Sequence, residues 1–599
     1  MARIVQSTAE RIYPINKWLG LNQAADGRTR LKMGEASEMV NFRVTADGVL
    51  KKRPGMREIT RFSGAVTGSW HGYVAGQEVT VVAAGGKLCT VGDDGTTELI
   101  GQILGRSKTS FFGFDEKLYI LDGGVHFMVW DGETLSDVVD SAYIPVTFSE
   151  TPPAGGGKEL EGINLLSDYR RVWYSPNGTS TDFVLPEAAD EVTVRDLVTG
   201  ETVESGYTFE AYTNKVIFDT APAAGTDTLE IEYKAHAASN RNTVTSMRFA
   251  ELYNGANENR VFLYGDGTNR AVYSGINDKG EPDASYFPAL NVISIGDENT
   301  PITQMIRHFS RLLVFKTDSA YSIYYGQLSD DSGRLIPAFY WNPVNKAVGN
   351  VAPGQVCLVE NNPITLYGSA AYHWRNTGGY SSNLTIDERQ AKRISDRVWK
   401  EMGNMDLSTA QCFDDNERKE WYCVSGDRAV VYNYGVDAWY IYDNFPVRHM
   451  LAVGGRLYGA QGRIWLEITD EVRSDLGSVI SARWASGYMS FGTDYQRKYS
   501  AMLWIAMEPM TNGEVDVTIE TDRKSDYTKK VVARNRASFN PVSFAAWSFL
   551  TSSRPYVTRL KIKAKKYTYY RLILTNESNA SSCAITAADV RVRYTGYVR

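Results

Sequence analysis

Four carboxylates crowd between Asp414 and Glu420 in the phrase QCFDDNERKEWY: Asp414, Asp415, Glu417 and Glu420. Glycoside cleavage uses two carboxyl groups about 5 to 10 Å apart across the scissile bond, so this is where a polysaccharide-degrading activity would sit. The same phrase also reads as a hairpin turn between two strands, where charged residues are expected for solubility. The second reading is favoured here. The six histidines, His71, His126, His236, His308, His373 and His449, are scattered and form no His-x-x-x-His pair. Cys89, Cys357, Cys412, Cys423 and Cys583 show no metal-ligand spacing and read as reduced thiols. The glycine phrases at 154–158 and 265–271 lack the Ser/Thr and the strand-to-helix context of a phosphate loop, and no Gly-x-Ser-x-Gly elbow occurs. No catalytic residue, cofactor or metal is therefore expected, and the chain is read as a non-enzyme.

The composition says what kind of scaffold carries these residues. In 599 residues there are 36 Tyr, 22 Phe and 13 Trp, with 52 Gly spread along the chain. That mixture favours strands and tight turns over helices, and the length calls for several domains. Short extended runs recur: 79–84, 87–91 and 117–121, then related phrases at 111–135, 258–274, 306–325, 364–374, 418–443 and 453–467, separated by Asp-Gly and Gly-Gly turns. Meanders too small to bury a face alone complete one another's cores in a β-propeller. At roughly 45 residues per blade, the chain outside the segments set apart below holds about seven. A short helix is expected where Ser395 caps 396–402 and Gly403 ends the run.

Two segments have a different grain. Residues 145–237 carry a hinge, TPPAGGG at 151–157, and contain alternating strands at 191–197, 215–218 and 228–233, as an inserted β-sandwich would. This insert holds 16 Asp+Glu against 6 Lys+Arg. Residues 478–599 have longer alternating strands, which suggest a C-terminal β-sandwich or jelly-roll, and the balance there is reversed, 19 basic against 9 acidic. Within it Lys561, Lys563 and Lys565 alternate with Ile562 and Ala564, and Lys566 follows, so one strand face is strongly basic. Such lysines protect a sheet edge, and they also suit an acidic partner such as the 145–237 arm of a neighbouring subunit. The expected plan is a clasp at 1–61, a propeller in two parts at 62–144 and 238–477, the insert at 145–237 and the terminal sandwich at 478–599.

The clasp carries the most distinctive residues. A hairpin is expected about Thr45-Ala46-Asp47-Gly48, because Asp-Gly between extended runs tolerates the positive φ of a tight turn. Pro54-Gly55 is expected to reverse the chain. The order Gly20-Leu21-Asn22, then Ala-x-x-x-x-Asn-Phe ending at Asn41 and Phe42, then Gly-Val-Leu-Lys-Lys-Arg-Pro-Gly ending at Arg53, Pro54 and Gly55, resembles the opening of tail nozzle or tail stabilisation proteins of tailed bacteriophages. The resemblance covers about a tenth of the chain. It implies a structural virion protein of the phage tail, a propeller forming a ring that is usually six-fold and lies below an adaptor or portal assembly. It further implies that the ring continues the DNA channel, holds genomic DNA without sequence recognition and presents sites for fibres or a needle. On that reading Gly20, Leu21, Asn22, Asn41, Phe42, Arg53, Pro54 and Gly55 form an assembly motif, and Lys561, Lys563, Lys565 and Lys566 a contact strand. A receptor- or carbohydrate-binding tail-tip protein is the alternative, since the aromatic residues that pack blades also bind sugars.

The formal net charge of −6 suits a channel wall along which a polyanion slides, because a densely basic wall would trap it through counterion release. The first residues lack an apolar core of signal-peptide length, and no run of about 18 apolar residues follows. Assembly in a host cytoplasm is therefore expected, with no membrane span.

Overall fold

The computed structural model describes residues 10–25, 30–105, 107–253, 255, 259–329, 335–376, 389–510, 512–523, 527–533 and 555–598. Residues 1–9 and 26–29 of the clasp, and residue 258 of the repeated phrases, lie outside them. The fold is all-β, with seven four-stranded antiparallel meanders of β-propeller type among the described residues. Alternation of apolar and turn residues explains each meander. In Lys117–Asp122 five successive residues are buried, and the strand pairs on both sides with Thr109–Phe114 and His126–Trp130.

The chain divides into two compact units, the second formed by Thr67–Pro353 and the first by the described residues of Met1–Val66, Gly354–Gly379 and Arg389–Arg599. The second unit holds four meanders. They begin at Val66–Val74, Thr109–Phe114, Phe249–Tyr253 and Ile302–His308. First strands lie side by side: Thr67 and Thr109 hydroxyls are 2.9 Å apart, and Glu251 accepts from the Arg307 amide at 3.0 Å. That placement of first strands is how blades stack. Between the second and third meanders, residues 146–235 form a five-stranded and a three-stranded sheet around a shared core of Val172, Tyr174, Phe183, Val194, Val216 and Ile231.

The first unit holds three more meanders, beginning at Cys357–Val359, Gln411–Asp415 and Arg448–Val453. The last has only three strands of its own. Its fourth is Gly55–Arg61, which pairs antiparallel with Ile464–Thr469 from more than four hundred residues away. The terminal sandwich is likewise shared with the start of the chain. One sheet joins Glu10–Ile15, Phe42–Val44 and Leu50–Lys52 to Ala584–Tyr597, Gln496–Met507 and Tyr556–Tyr567. The other runs from Glu35–Val40 to Ala482–Ser486, Tyr570–Asn576 and Gly513–Thr521. The clasp, expected at 1–61 as a unit of its own, is woven into both of these sheets.

Two local expectations are corrected. Gly55 does not sit in a turn with positive φ. It opens a strand, and a Cβ there would meet Ser474 O at 2.5 Å and Val472 O at 2.6 Å, so glycine is required by close backbone approach. The helix near 395 is a 3-10 turn, Ser395–Val398, followed by Trp399–Asn404, and it passes through Gly403. Ser395 does not cap it; its hydroxyl accepts instead from the Ala371 amide at 3.0 Å. The helix meets the clasp, with Gln23 N donating to Arg397 O at 2.7 Å and Trp399 Nε1 to Gln23 O at 3.1 Å.

Candidate functional site

Three groups of residues in the first unit bear on function: the lock made by the clasp motif, the carboxylates near 414 and a cleft in the terminal sandwich.

The lock centres on Asn41 and Arg53, both about 2% exposed. Asn41 has φ 55, a left-handed conformation that asparagine tolerates better than most residues. Its amide donates to Ile441 O at 2.8 Å, and its Nδ2 to Ser481 O at 2.8 Å. Its Oδ1 accepts from Arg53 Nε and from the Asp443 amide. Arg53 then satisfies its remaining donors on Pro54 O, Asp443 O and both oxygens of Asp475. Its guanidinium lies over the rings of Tyr442 and Phe445, 5.7 and 5.5 Å from their centroids. All five N–H groups are spent, which only the planar fork of arginine achieves. Around this pair Phe42, Pro54 and Leu21 are buried, and a Cβ on Gly20, at φ 77, would meet the Trp439 backbone at 2.8 Å. Asn22 Oδ1 accepts from the amides of Ala24 and Ala25. The motif residues thus make contacts within the chain.

The phrase at 411–422 is a hairpin, Gln411–Asp415 paired with Glu420–Ser425, and Glu417 is exposed on its turn. Asp414 and Asp415 are successive on a strand, so they point to opposite faces. Asp415 faces its cross-strand partner Glu420. That carboxylate is buried, accepts from the hydroxyls of Tyr422 and Tyr440, and lies 3.6 Å from Arg43. Burial works against the charge on Arg43, yet Glu420 and Asp470 hold its guanidinium more firmly protonated than usual. Asp415 accepts from the Arg418 amide at 3.1 Å. Asp414, alone on the other face, is pushed up to about 7 by burial and by the charges of Asp415 and Glu360, against the hydrogen bond from Tyr434. The four carboxylates are therefore not one site: Asp415 and Glu420 are held in structural contacts, Glu417 faces solvent, and Asp414 is a weak acid on the other face, near Glu360.

Among the described residues the basic strand Tyr556–Tyr567 is the edge of its sheet and pairs only with Gln496–Met507. Arg559, Lys561, Lys563 and Lys565 are exposed while Leu560, Ile562 and Ala564 are buried. The alternation breaks at the end. Tyr499 lies opposite Lys565 and Lys498 opposite Tyr567, which leaves Lys566 as an extra, unpaired residue with φ 55. A left-handed lysine costs roughly 1 to 2 kcal/mol, and bulges of this kind re-aim side chains next to sites. Here the bulge puts two consecutive lysines in solvent, at the wall of a cleft of about 1420 Å³.

The cleft lies where the ends of strands Glu10–Ile15, Gln496–Met507, Tyr556–Tyr567 and Ala584–Tyr597 meet the loops at 31–33 and 488–493. Tyr13 packs on Phe491 at 4.9 Å, and its hydroxyl donates to Phe491 O and meets that of Tyr594. At the rim Tyr597 stacks on Tyr495, 6.2 Å between centroids and 16° between planes, and both are more than 60% exposed. Sequence reading found Lys565 and Lys566 but not the cleft, because its walls come from segments almost six hundred residues apart. Among the described residues no helix is long and apolar enough to cross a membrane, and no cluster of His, Cys, Asp and Glu is placed to hold a metal ion.

No family model matches the chain, and no curated protein matches it. Among solved structures, a candidate gluconolactonase is 9% identical over 69% of this chain and 91% of its own, with a TM-score of 0.29. The WD40 domain of SCAP from fission yeast is 10% identical over 72% and 98%, TM-score 0.27. An exo-β-1,3-galactanase from Phanerochaete chrysosporium is 8% identical over 80% and 95%, TM-score 0.16.

Proposed function

We propose that this chain is a structural virion protein of a tailed bacteriophage, a nozzle-type subunit that assembles as a ring, continues the DNA channel and carries attachment sites for other tail proteins. The observation that carries the reading is the Asn41–Arg53–Asp475 lock. The motif that resembles nozzle proteins is a set of residue types with no chemistry of its own, and Gly20, Asn41, Arg53 and Gly55 among them meet distant segments in a chain whose N-terminal segment closes the last meander and completes the terminal sandwich. Asparagine supplies the left-handed turn, arginine the five-donor fork and glycine the close approach. A motif explained by one topology supports a shared topology, and the meander series is what such a subunit is built from.

On this reading the motif stabilises the subunit, and contacts with neighbours fall to exposed surfaces. The lysine-lined edge strand suits the acid-rich insert of an adjacent copy by charge. Genomic DNA passes as a polyanion without sequence recognition, and adaptor, fibre or needle proteins attach to the ring. A six-fold ring is the order implied by the resemblance.

Electron microscopy of the virion, averaged about the tail axis with this chain labelled, tests the proposal. A ring of these subunits around a continuous channel is expected. Copies placed peripherally and away from the axis would overturn it in favour of receptor or carbohydrate binding. A polysaccharide-degrading role draws on one observation, the weak acid Asp414.

A further inference from the structure

The cleft of the terminal sandwich has a chemistry that a ring-forming role does not require. Among the described residues five cationic side chains line it, Arg11, Arg497, Lys565, Lys566 and Arg593, and no carboxylate does. Among the described residues no salt bridge engages Arg11, Arg497, Lys565 or Lys566. Two donors in the wall, Arg497 Nε and Thr493 Oγ1, are buried and have no hydrogen-bond partner.

We propose that the cleft binds single-stranded nucleic acid, with phosphates on the cations and bases on the tyrosine rings. The lining selects this class of ligand. The cations, with no carboxylate among the described lining residues, call for an anionic ligand, and the tyrosine rings beside them suit one that carries flat bases. A DNA backbone presents acceptors only. Tyr499 stands in the cleft beside Arg497 and opposite Lys565, and Tyr597 lies exposed at the rim, so aromatic faces alternate with charge as in stacking platforms for single strands. A duplex keeps its bases stacked on each other and offers no face to these rings. The volume exceeds the usual range for small-molecule pockets, and suits a segment of about four nucleotides, the lower end of single-strand site sizes. The Lys566 bulge fits this role, since it places two adjacent cations where regular alternation would place one.

The inference does not rest on the ring reading, because its test uses the isolated full chain. Fluorescence anisotropy of a labelled oligothymidylate of about 16 nucleotides is followed from about 50 to about 200 mM salt. Binding is expected, with a logarithmic salt slope of about −0.7 per phosphate neutralised. The double variant Arg497→Ala, Lys565→Ala is expected to weaken binding by about tenfold or more and to flatten the slope by one or two phosphates. Tyr597→Ala is expected to weaken binding with the slope unchanged, because stacking releases no counterions. Lys565 and Tyr597 are exposed, so single substitutions there leave the fold in place and keep the test decisive if Arg497→Ala unfolds. No binding at low salt, equal binding of a duplex of the same length or of a polyuronate, or binding indifferent to Lys565→Ala and Tyr597→Ala would each overturn the proposal.

Discussion

Arg53 and Asp475, 422 residues apart, meet in a two-pronged ion pair, Nη1 to Oδ1 at 2.9 Å and Nη2 to Oδ2 at 2.5 Å. The pair ties the clasp to the segment that follows the last meander. Removing one partner of a buried pair leaves the other charge unpaired, which costs about 3 to 5 kcal/mol. Arg53→Ala is expected to lower stability by that amount, read as a fall in the denaturation midpoint of the full chain. Arg53→Lys should recover little, because an ammonium cannot span Asn41, Asp443 and both oxygens of Asp475 at once. Full rescue by lysine would show that charge alone matters.

Gly55→Ala tests close approach rather than turn geometry. The added methyl meets backbone carbonyls of Val472 and Ser474 that cannot move without shifting the chain after the last meander. A loss of about 1 to 3 kcal/mol is expected, as for other overpacked sites. Gly48→Ala provides the contrast: its Cβ meets nothing, and only the positive φ of 80 opposes it, so its cost should be smaller, about 1 kcal/mol.

Lys52 gives a pH signature. It is 1% exposed, and its ammonium donates to Asn576 Oδ1 and Ser578 O, both at 2.7 Å. Burial pushes it down to about 8. Below pH 8 both folded and unfolded chains are protonated and the full cost of burying the charge is present. As pH rises beyond 8 the folded state gives up its proton first, the unfolded state holds more protons, and stability rises until the unfolded lysine also titrates. Between pH 7.5 and 9.5 the wild type is expected to gain about 2 kcal/mol relative to Lys52→Met. Parallel stability curves for the two proteins would contradict the assignment.

Asp414 has the opposite sign. Its carboxyl, pushed up to about 7, is neutral in the folded chain at pH 5 but ionised in the unfolded one, so its contribution is unfavourable above the unfolded value and grows until about pH 7. Asp414→Asn is therefore expected to raise the melting temperature at pH 8 and to leave it unchanged at pH 4. The same variant decides the enzymatic alternative. Any polysaccharide-degrading activity of the chain should vanish in Asp414→Asn and persist in Glu417→Gln if Asp414 is its acid, and no activity is expected from either protein or the wild type.

Much of the architecture was legible locally. Alternation marked Tyr556–Tyr567 as a strand with a basic face, Asp-Gly marked the turn at 47–48, and recurrence of aromatic strands and glycine turns marked the meanders, because pleat and turn chemistry act over a few residues. The carboxylate phrase was legible as a hairpin for the same reason. What the sequence by itself determined is thus the class of each element and the hand-sized units they form. Only the tertiary structure decided that Gly55–Arg61 completes the last meander, that Arg53 spends its whole fork on Asn41, Asp443 and Asp475, and that Gly55 serves packing rather than a turn. It alone assembled the cleft, whose walls at Arg11, Arg497, Lys565 and Arg593 are neighbours through sheet pairing. These are pairings between distant segments, chosen by burial and hydrogen-bond satisfaction over the folded chain as a whole, and no periodicity within a short window encodes them.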